Sequence, residues 1–326
     1  MTFRCLLCAH PTGKRVLTKG ALQLWRCRSC HFVQQHPLPE ALEYDGRYED
    51  AGSYGMQQLP HKHLFLQRDV TVVRDLLRRG ARGPLLDVGA GAGILLEAAL
   101  SQGLTAIGLE LAKPSVEHIQ TTLGCAVHAC AIEQAPLAPG SVGVVTFSHS
   151  LEHLLDPVGA LRAAARLLPE GGFVHVAVPN WRAAKRHVAG KGIPWIFPEH
   201  ISYFTPRSLA AAFDRAGLDV VAMRTLPMVC DADYRFAITT MERFGLDRPV
   251  RRFLKLGDRH LDALLGNDLQ LACPMWRLRA VIGATRFFLR CWPERLFGWL
   301  GWAEELRATA RVRRHPASSQ VSGRGG

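Results

Sequence analysis

The run Asp87-Val88-Gly89-Ala90-Gly91-Ala92-Gly93 constrains the fold of this chain more than any other feature of it. It joins an apolar strand, Pro84-Leu85-Leu86, to a helix that begins near Ile94. Glycines at every second position let the backbone turn tightly and bring a ligand against bare peptide N–H groups at the start of a helix, as in nucleotide-binding βαβ units. A second strand, Ala106-Ile107-Gly108-Leu109, ends on Glu110, about twenty residues on, where a carboxylate can accept the hydroxyls of a ribose. The pair reads as a nucleoside site. A dinucleotide fingerprint needs glycine at the sixth position of G-x-G-x-x-G, and counting from Gly89 that position is Ile94, so a dinucleotide is disfavoured.

Around this turn the chain alternates. Strands are expected at 84–88, 105–109, 125–129, 142–148, 172–178 and 219–225, with 268–273 as a seventh, and helices at 61–79, 92–101, 113–122, 157–168 and 208–216. Such βαβ alternation specifies a doubly wound, Rossmann-like, mostly parallel seven-stranded α/β sheet with helices on both faces. The body of this domain is expected over 81–273, after a linker and helix at 37–80, with a helical insertion at about 229–266. Beyond it, 274–315 reads as a C-terminal extension of amphipathic helices broken at Pro293, and 316–326 as a disordered tail.

Residues 1–36 carry Cys5-Leu6-Leu7-Cys8 and Cys27-Arg28-Ser29-Cys30, two C-x-x-C knuckles with 18 residues between them. This spacing suits four thiolates on one tetrahedral zinc, a zinc ribbon whose metal supplies the folding energy that so short a segment cannot bury for itself. The nine cysteines are an odd number, and disulfides are not indicated.

Net charge is +12, but between Arg277 and Arg324 ten arginines face three glutamates, so over half of the excess lies near the C-terminus. Nucleic-acid binding by the body is therefore not required by charge. Trp and Phe interleaved with Arg286, Arg290 and Arg295 suit peripheral membrane contact, a dimer contact or core packing, with packing favoured. No apolar stretch follows Met1, which makes a cytoplasmic location the expectation.

With Asp87 through Gly93, Glu110, the knuckles and Ser150-Leu151-Glu152-His153-Leu154-Leu155-Asp156-Pro157 in place, the chain resembles the ubiquinone-O-methyltransferase-like class I S-adenosylmethionine-dependent methyltransferases. More closely it is similar to a bacterial subgroup with an N-terminal zinc ribbon. Pro169-Glu170-Gly171-Gly172, Val178-Pro179-Asn180 and Pro198-Glu199-His200-Ile201-Ser202-Tyr203-Phe204-Thr205 are further matches, and the likeness spans roughly residues 1 to 273. It implies that Asp87, Gly89, Gly91 and Gly93 hold the methionine part of S-adenosylmethionine, that Glu110 holds its ribose, and that Ser148 completes the donor set. It implies methyl transfer to a small-molecule or carrier-linked acceptor such as a sugar, lipid, quinone or natural-product intermediate. The alternative is a non-catalytic donor-binding module whose ribbon recruits a partner. Two places depart from the family: Val142 and Gly143 stand where an aromatic and an acid are usual, and the end of the third strand, which often supplies an acid near the adenine, reads His128-Ala129-Cys130-Ala131-Ile132-Glu133.

A hydroxyl acceptor must lose a proton, and bases are expected at the carboxyl ends of strands. His149, Glu152 and His153 follow the strand at 142–148, and His200 follows the next one; His153 and His200 are the preferred bases because histidine titrates near neutrality. His149-x-x-Glu152-His153 also spells an inverted zinc-protease pattern, which would need one long helix that Asp156-Pro157 forbids. These side chains could instead hold a divalent ion that orients the acceptor. Trp181, Trp195, Phe197, Tyr203 and Phe204 are candidates for a lid over it.

Overall fold

The computed structural model describes residues 2–39, 56–189, 195–226, 300 and 302–313. The chain opens with strands β1 (Gly13–Lys19), β2 (Leu22–Cys27) and β3 (Val33–Gln35). Helix α1 (Lys62–Arg78) leads into β4 (Leu85–Val88), α2 (Ile94–Ser101), β5 (Ala106–Leu109), α3 (Lys113–Leu123), β6 (Ala126–His128), β7 (Val144–Ser148), α4 (Pro157–Leu167) and β8 (Phe173–Pro179). A short helix α5 (Ala184–Ala189), β9 (Ser202–Tyr203), α6 (Pro206–Arg215) and β10 (Leu218–Leu226) follow, and β11 (Glu305–Val312) comes from far down the chain.

Seven strands form one sheet in the order β10-β11-β8-β7-β4-β5-β6. The five from β8 to β6 run parallel, and β11 lies antiparallel between β10 and β8. This is the mostly parallel Rossmann-like sheet that the alternation implies. The central strands read as unbroken apolar runs because both their faces are covered. On one face Val72, Val73 and Leu76 of α1 and Leu95 and Leu96 of α2 pack with Leu85 and Val144. On the other, Leu161 and Leu167 of α4 and Leu209 and Phe213 of α6 pack with Phe147, Val174 and Val176. The helix starts are written locally: the Asp156 carboxylate accepts the Gly159 N–H at 2.8 Å, and Thr205 and Ser208 form a capping box at α6.

The seventh strand differs from the expectation. It is β11, within the stretch 274–315 expected to be helical, while 268–273 lies outside the described residues, as do 229–266 and 274–299. Its period is two: Leu306, Ala308 and Ala310 join the apolar core, while Glu305, Arg307 and Thr309 alternate with them, and all six are buried. Glu305 and Arg307 satisfy one another at 2.7 Å, and Thr309 sits opposite His175 in register with 3.0 Å between its hydroxyl and the ring Nδ1. Charges in the segment suggest a solvated helix; pairing inside the fold is what makes a strand of it.

The cysteine unit is part of a second, four-stranded sheet, β1-β2-β3-β9, in which β9 belongs to the body. Phe3, Leu7 and Phe32 join the main core, and Leu22, Leu24 and Val33 pack on Trp181, Trp195 and Tyr203.

Gly143, one of the two departures from the family pattern, has a structural cause. A Cβ there would overlap the Arg82 carbonyl, where Gly143 N–H pairs with the Pro84 carbonyl at 2.9 Å. The obstacle is backbone, so it cannot rotate away. Gly143→Ala should therefore lower stability by roughly 1–3 kcal/mol, read as a lower Tm or urea midpoint; an unchanged midpoint would contradict this packing.

Candidate active site

The glycine turn sits at the carboxyl end of β4, and its three glycines have different tasks. A Cβ on Gly89 would stand 2.8 Å from that of Ser150, and one on Gly93 would stand 2.9 Å from Ile119 of α3. Those two are set by packing. Gly91, at φ 54°, donates its N–H to Glu110 at 2.7 Å, and the other Glu110 oxygen accepts from Ala112 N–H at 2.9 Å. Glu110 is thereby fixed against the turn, at the end of β5.

Asp87 is buried at the end of β4 and accepts the Thr146 hydroxyl at 2.6 Å. Burial, with help from the charges of Asp69 and Glu110, pushes its carboxyl up to about 8 against the opposing pull of Thr146 and Arg68. Arg68 and Asp69 come from α1. Arg68 binds Asp69 at 2.7 Å, donates to Ser148 Oγ at 3.3 Å and lies 3.7 Å from Glu305. Four acidic side chains, Asp69, Asp87, Glu110 and Glu305, and one guanidinium thus stand around the strand ends, a set able to take an ammonium, a carboxylate and a diol together.

The chain leaving β7 bends sharply at His149, which has a left-handed φ of 56°. Its Nε2 lies 2.8 Å from Glu305, and its Nδ1 lies 3.6 Å from Glu152. Burial lowers the imidazole's affinity for a proton, but these two carboxylates outweigh it and raise it to about 9. In this geometry His149 is an ion-pair partner of both Glu305 and Glu152.

The bend brings Glu152, His153 and His200 together. Glu152 is buried, with neither carboxylate oxygen hydrogen-bonded, and stands 3.8 Å from His200 Nε2. Burial opposes its charge, but the surrounding imidazoles hold it below the ordinary carboxylate range. His200 is pushed down to about 3, first by burial and then by His153, and is a weak base there. The His153 ring packs edge-on against it at 4.7 Å, with Nδ1 2.9 Å from the Glu199 carbonyl, which makes Nε2 the nitrogen that carries the lone pair. One atom from each of Glu152, His153 and His200 can be drawn from within 4.8 Å of the others, so the trio can also bind a cation.

Most of the expected aromatic lid is core. Trp181, Trp195, Tyr203 and Phe204 are buried, with Trp181 and Tyr203 edge-to-face at 5.3 Å, because the cysteine unit's strands cover them. Phe197 borders the histidines, 4.0 Å from the His200 ring, and the buried Tyr203 ring lies edge-on to the same imidazole at 6.2 Å.

At the N-terminus the four sulfurs of Cys5, Cys8, Cys27 and Cys30 all lie within 4.8 Å of one another, with 3.5 Å from Cys5 to Cys30 and 3.6 Å from Cys8 to Cys27. A metal–sulfur length of about 2.3 Å in a tetrahedron asks for sulfurs about 3.8 Å apart. The donor set fits.

Sequence reasoning missed Arg68, Asp69 and Glu305. Asp69 offered a signal, since it falls in line with Leu66, Val72, Val73 and Leu76 on the apolar stripe of α1, where a buried carboxylate calls for a reason.

Comparison with known proteins finds methyltransferases similar to part of this chain. Residues 62–223 match the model of a family described as methyltransferase domain. The ubiquinone biosynthesis O-methyltransferase of Paracidovorax citrulli is 32% identical over 154 residues, 43% of this chain and 65% of that protein. Its namesake from Thiobacillus denitrificans is 32% identical over 148 residues, 41% of this chain and 64% of that protein. The chain spans just under two thirds of the length of these relatives. A solved SAM-dependent methyltransferase from Thermotoga maritima superposes with a TM-score of 0.44 at 22% identity, over 54% of this chain and 81% of that one. Through residues 62–223, just under half of its length, this chain is similar to the methyltransferase-domain family.

Proposed function

We propose that the chain transfers the methyl group of S-adenosylmethionine to a hydroxyl on a small-molecule acceptor, a phenolic quinone precursor first among the candidates. The observation that carries the donor half is Glu110 locked to the Gly91 N–H at the end of β5, with Asp87 and Arg68 beside it. Glu110 would hold the ribose, Asp87 the α-ammonium and Arg68 the α-carboxylate, with Ser148 and the glycine turn lining the path between. The donor supplies an electrophilic methyl on its sulfonium. The chain's own work is to align it, exclude water and take a proton. His153 Nε2 is the base in this reading, and the Glu199 carbonyl and the His200 ring hold its imidazole in place. The relatives' name supports a hydroxyl on an aromatic ring as the acceptor. A carrier-linked sugar or lipid fits the same chemistry.

The four thiolates are read as the seat of one structural zinc, since a filled tetrahedron leaves no open position for catalysis. For the described residues no helix is long and apolar enough to cross a membrane.

Three outcomes test this. Titration calorimetry with S-adenosylmethionine should show affinity rising with pH until it levels off near 8. The ammonium needs Asp87 as carboxylate, its carboxyl is held near 8 by burial beside Asp69 and Glu110, and the limiting slope is about tenfold per unit. Asp87→Asn should flatten that profile, and an equal slope in the variant would remove Asp87 from the ammonium. By the same linkage Asp87 weakens the fold as pH climbs from the usual carboxylate range through about 8.

Methyl transfer from labelled donor to a panel of phenols should fall by roughly 10²- to 10⁴-fold in His153→Ala, with donor affinity within about twofold of wild type. Normal turnover in that variant would mean that alignment alone suffices. If wild type binds donor and methylates nothing in the panel or in a metabolite extract, the chain is a binding module instead.

Metal analysis of protein purified without chelators should give about one zinc per chain, lost in the Cys27→Ser Cys30→Ser double variant. Metal-free protein with intact folding would refute the assignment.

A further inference from the structure

The cysteine unit does not stop at its own third strand. Val33 and Gln34 of β3 pair antiparallel with Tyr203 and Ser202 of β9. Gln35 N–H donates to the Ile201 carbonyl at 2.8 Å, and Ile201 N–H donates to the Glu152 carbonyl at 2.9 Å. The residue before Ile201 is His200, whose Nε2 stands 3.8 Å from the Glu152 carboxylate. Two successive backbone hydrogen bonds therefore separate the cysteine unit from the residues expected to face the acceptor.

The same strand grips the first knuckle from its other side. Gln34 is fully buried; its Oε1 accepts the Leu6 N–H at 2.8 Å, and its Nε2 donates to the Arg4 carbonyl at 3.0 Å. Leu6 lies inside the loop Cys5-Leu6-Leu7-Cys8 that turns two sulfurs toward the cluster. A buried amide that uses both its ends locks loop and strand in one register, and either end left unmade would cost the full desolvation of its partner. Phe32 adds an apolar contact, 5.3 Å from the ring of Phe204.

β9 is a two-residue edge strand whose sheet partner is β3. Phe204, just after it, has a separate anchor in Trp181, whose N–H it accepts at 2.7 Å, so the dependence on β3 falls on 200–203.

We propose that Gln34 is a positioning residue of the acceptor side, through which the four-cysteine unit holds the His200–Ser202 segment against Glu152. The unit is then a wall support for the site rather than an appendage, and metal held by the cysteines sets the geometry at His200 and Glu152 while leaving the glycine turn untouched. This rests on the reading of Glu152, His153 and His200 as acceptor-facing.

Hydrogen exchange by mass spectrometry on the full chain tests it without knowledge of the acceptor. Gln34→Met keeps the volume and loses both hydrogen bonds. Its peptides covering 198–203 should exchange about tenfold faster than wild type, while those covering 85–112 and the affinity for S-adenosylhomocysteine stay unchanged. Gln34→Glu should stay close to wild type, because a buried carboxylic acid is protonated and offers the same acceptor and donor. Removing metal from the wild-type protein with a chelator should produce the Gln34→Met pattern, which covers the case of a variant that does not fold. Faster exchange confined to residues 3–36, in the variant or the chelated protein, overturns the proposal, as does a Gln34→Glu protein that behaves like Gln34→Met. Failure of wild type to bind S-adenosylhomocysteine would strike the methyl-transfer reading, while the exchange pattern would still decide the coupling.

Discussion

One buried carboxylate ties together parts of the chain that lie far apart in sequence. Glu305 on β11 is 2% exposed and lies 156 residues from His149, with which it pairs at 2.8 Å; Arg307 binds it at 2.7 Å and Arg68 stands 3.7 Å away. A charge so placed costs several kcal/mol to desolvate unless its partners are all present. Here they outweigh burial, with Arg307 foremost and His149 and Arg68 behind it, and hold the acid well below its usual range. The position of β11 in the sheet, the bend after β7 and the approach of α1 are consequently conditions for one another.

The two halves of the site inherit opposite characters from this arrangement. Arg68, steered by Glu305 and Asp69, reaches Ser148 and faces the acidic group of Asp87 and Glu110, so that side suits a zwitterion with a sugar attached. Past the bend, Glu152 stands among imidazoles, a side suited to moving a proton or holding a cation. The left-handed His149 is the joint between them, kept in an uncommon conformation by ion pairs on both ring nitrogens.

What could be read from the sequence was what local pattern encodes. β4, β7 and β8 are apolar runs, the glycine turn is punctuation, and α4 and α6 carry their own caps, so each appears within a residue or two of its expected place. The paired knuckles likewise announce four sulfurs in one place. β11 was illegible because Glu305 and Arg307 look solvated in sequence and become strand residues only through partners far away. β9 was illegible because two residues carry no periodicity, and only pairing with β3 makes them a strand. The aromatics from Trp181 to Phe204 were misread as a lid since composition cannot tell a covered cluster from an open one; the covering strands come from the opposite end of the chain.

The central claim is that the carboxyl ends of β4 and β5 form the donor site, with acid, glycine turn and guanidinium each taking one part of a single ligand. A crystal structure of the full chain with S-adenosylhomocysteine tests it most directly. The ribose hydroxyls should lie on Glu110, the amino-acid end between Asp87 and Arg68, and the sulfur should face the opening toward His153. A ligand seated away from Gly91 and Glu110, or one whose carboxylate ignores Arg68, would contradict the account.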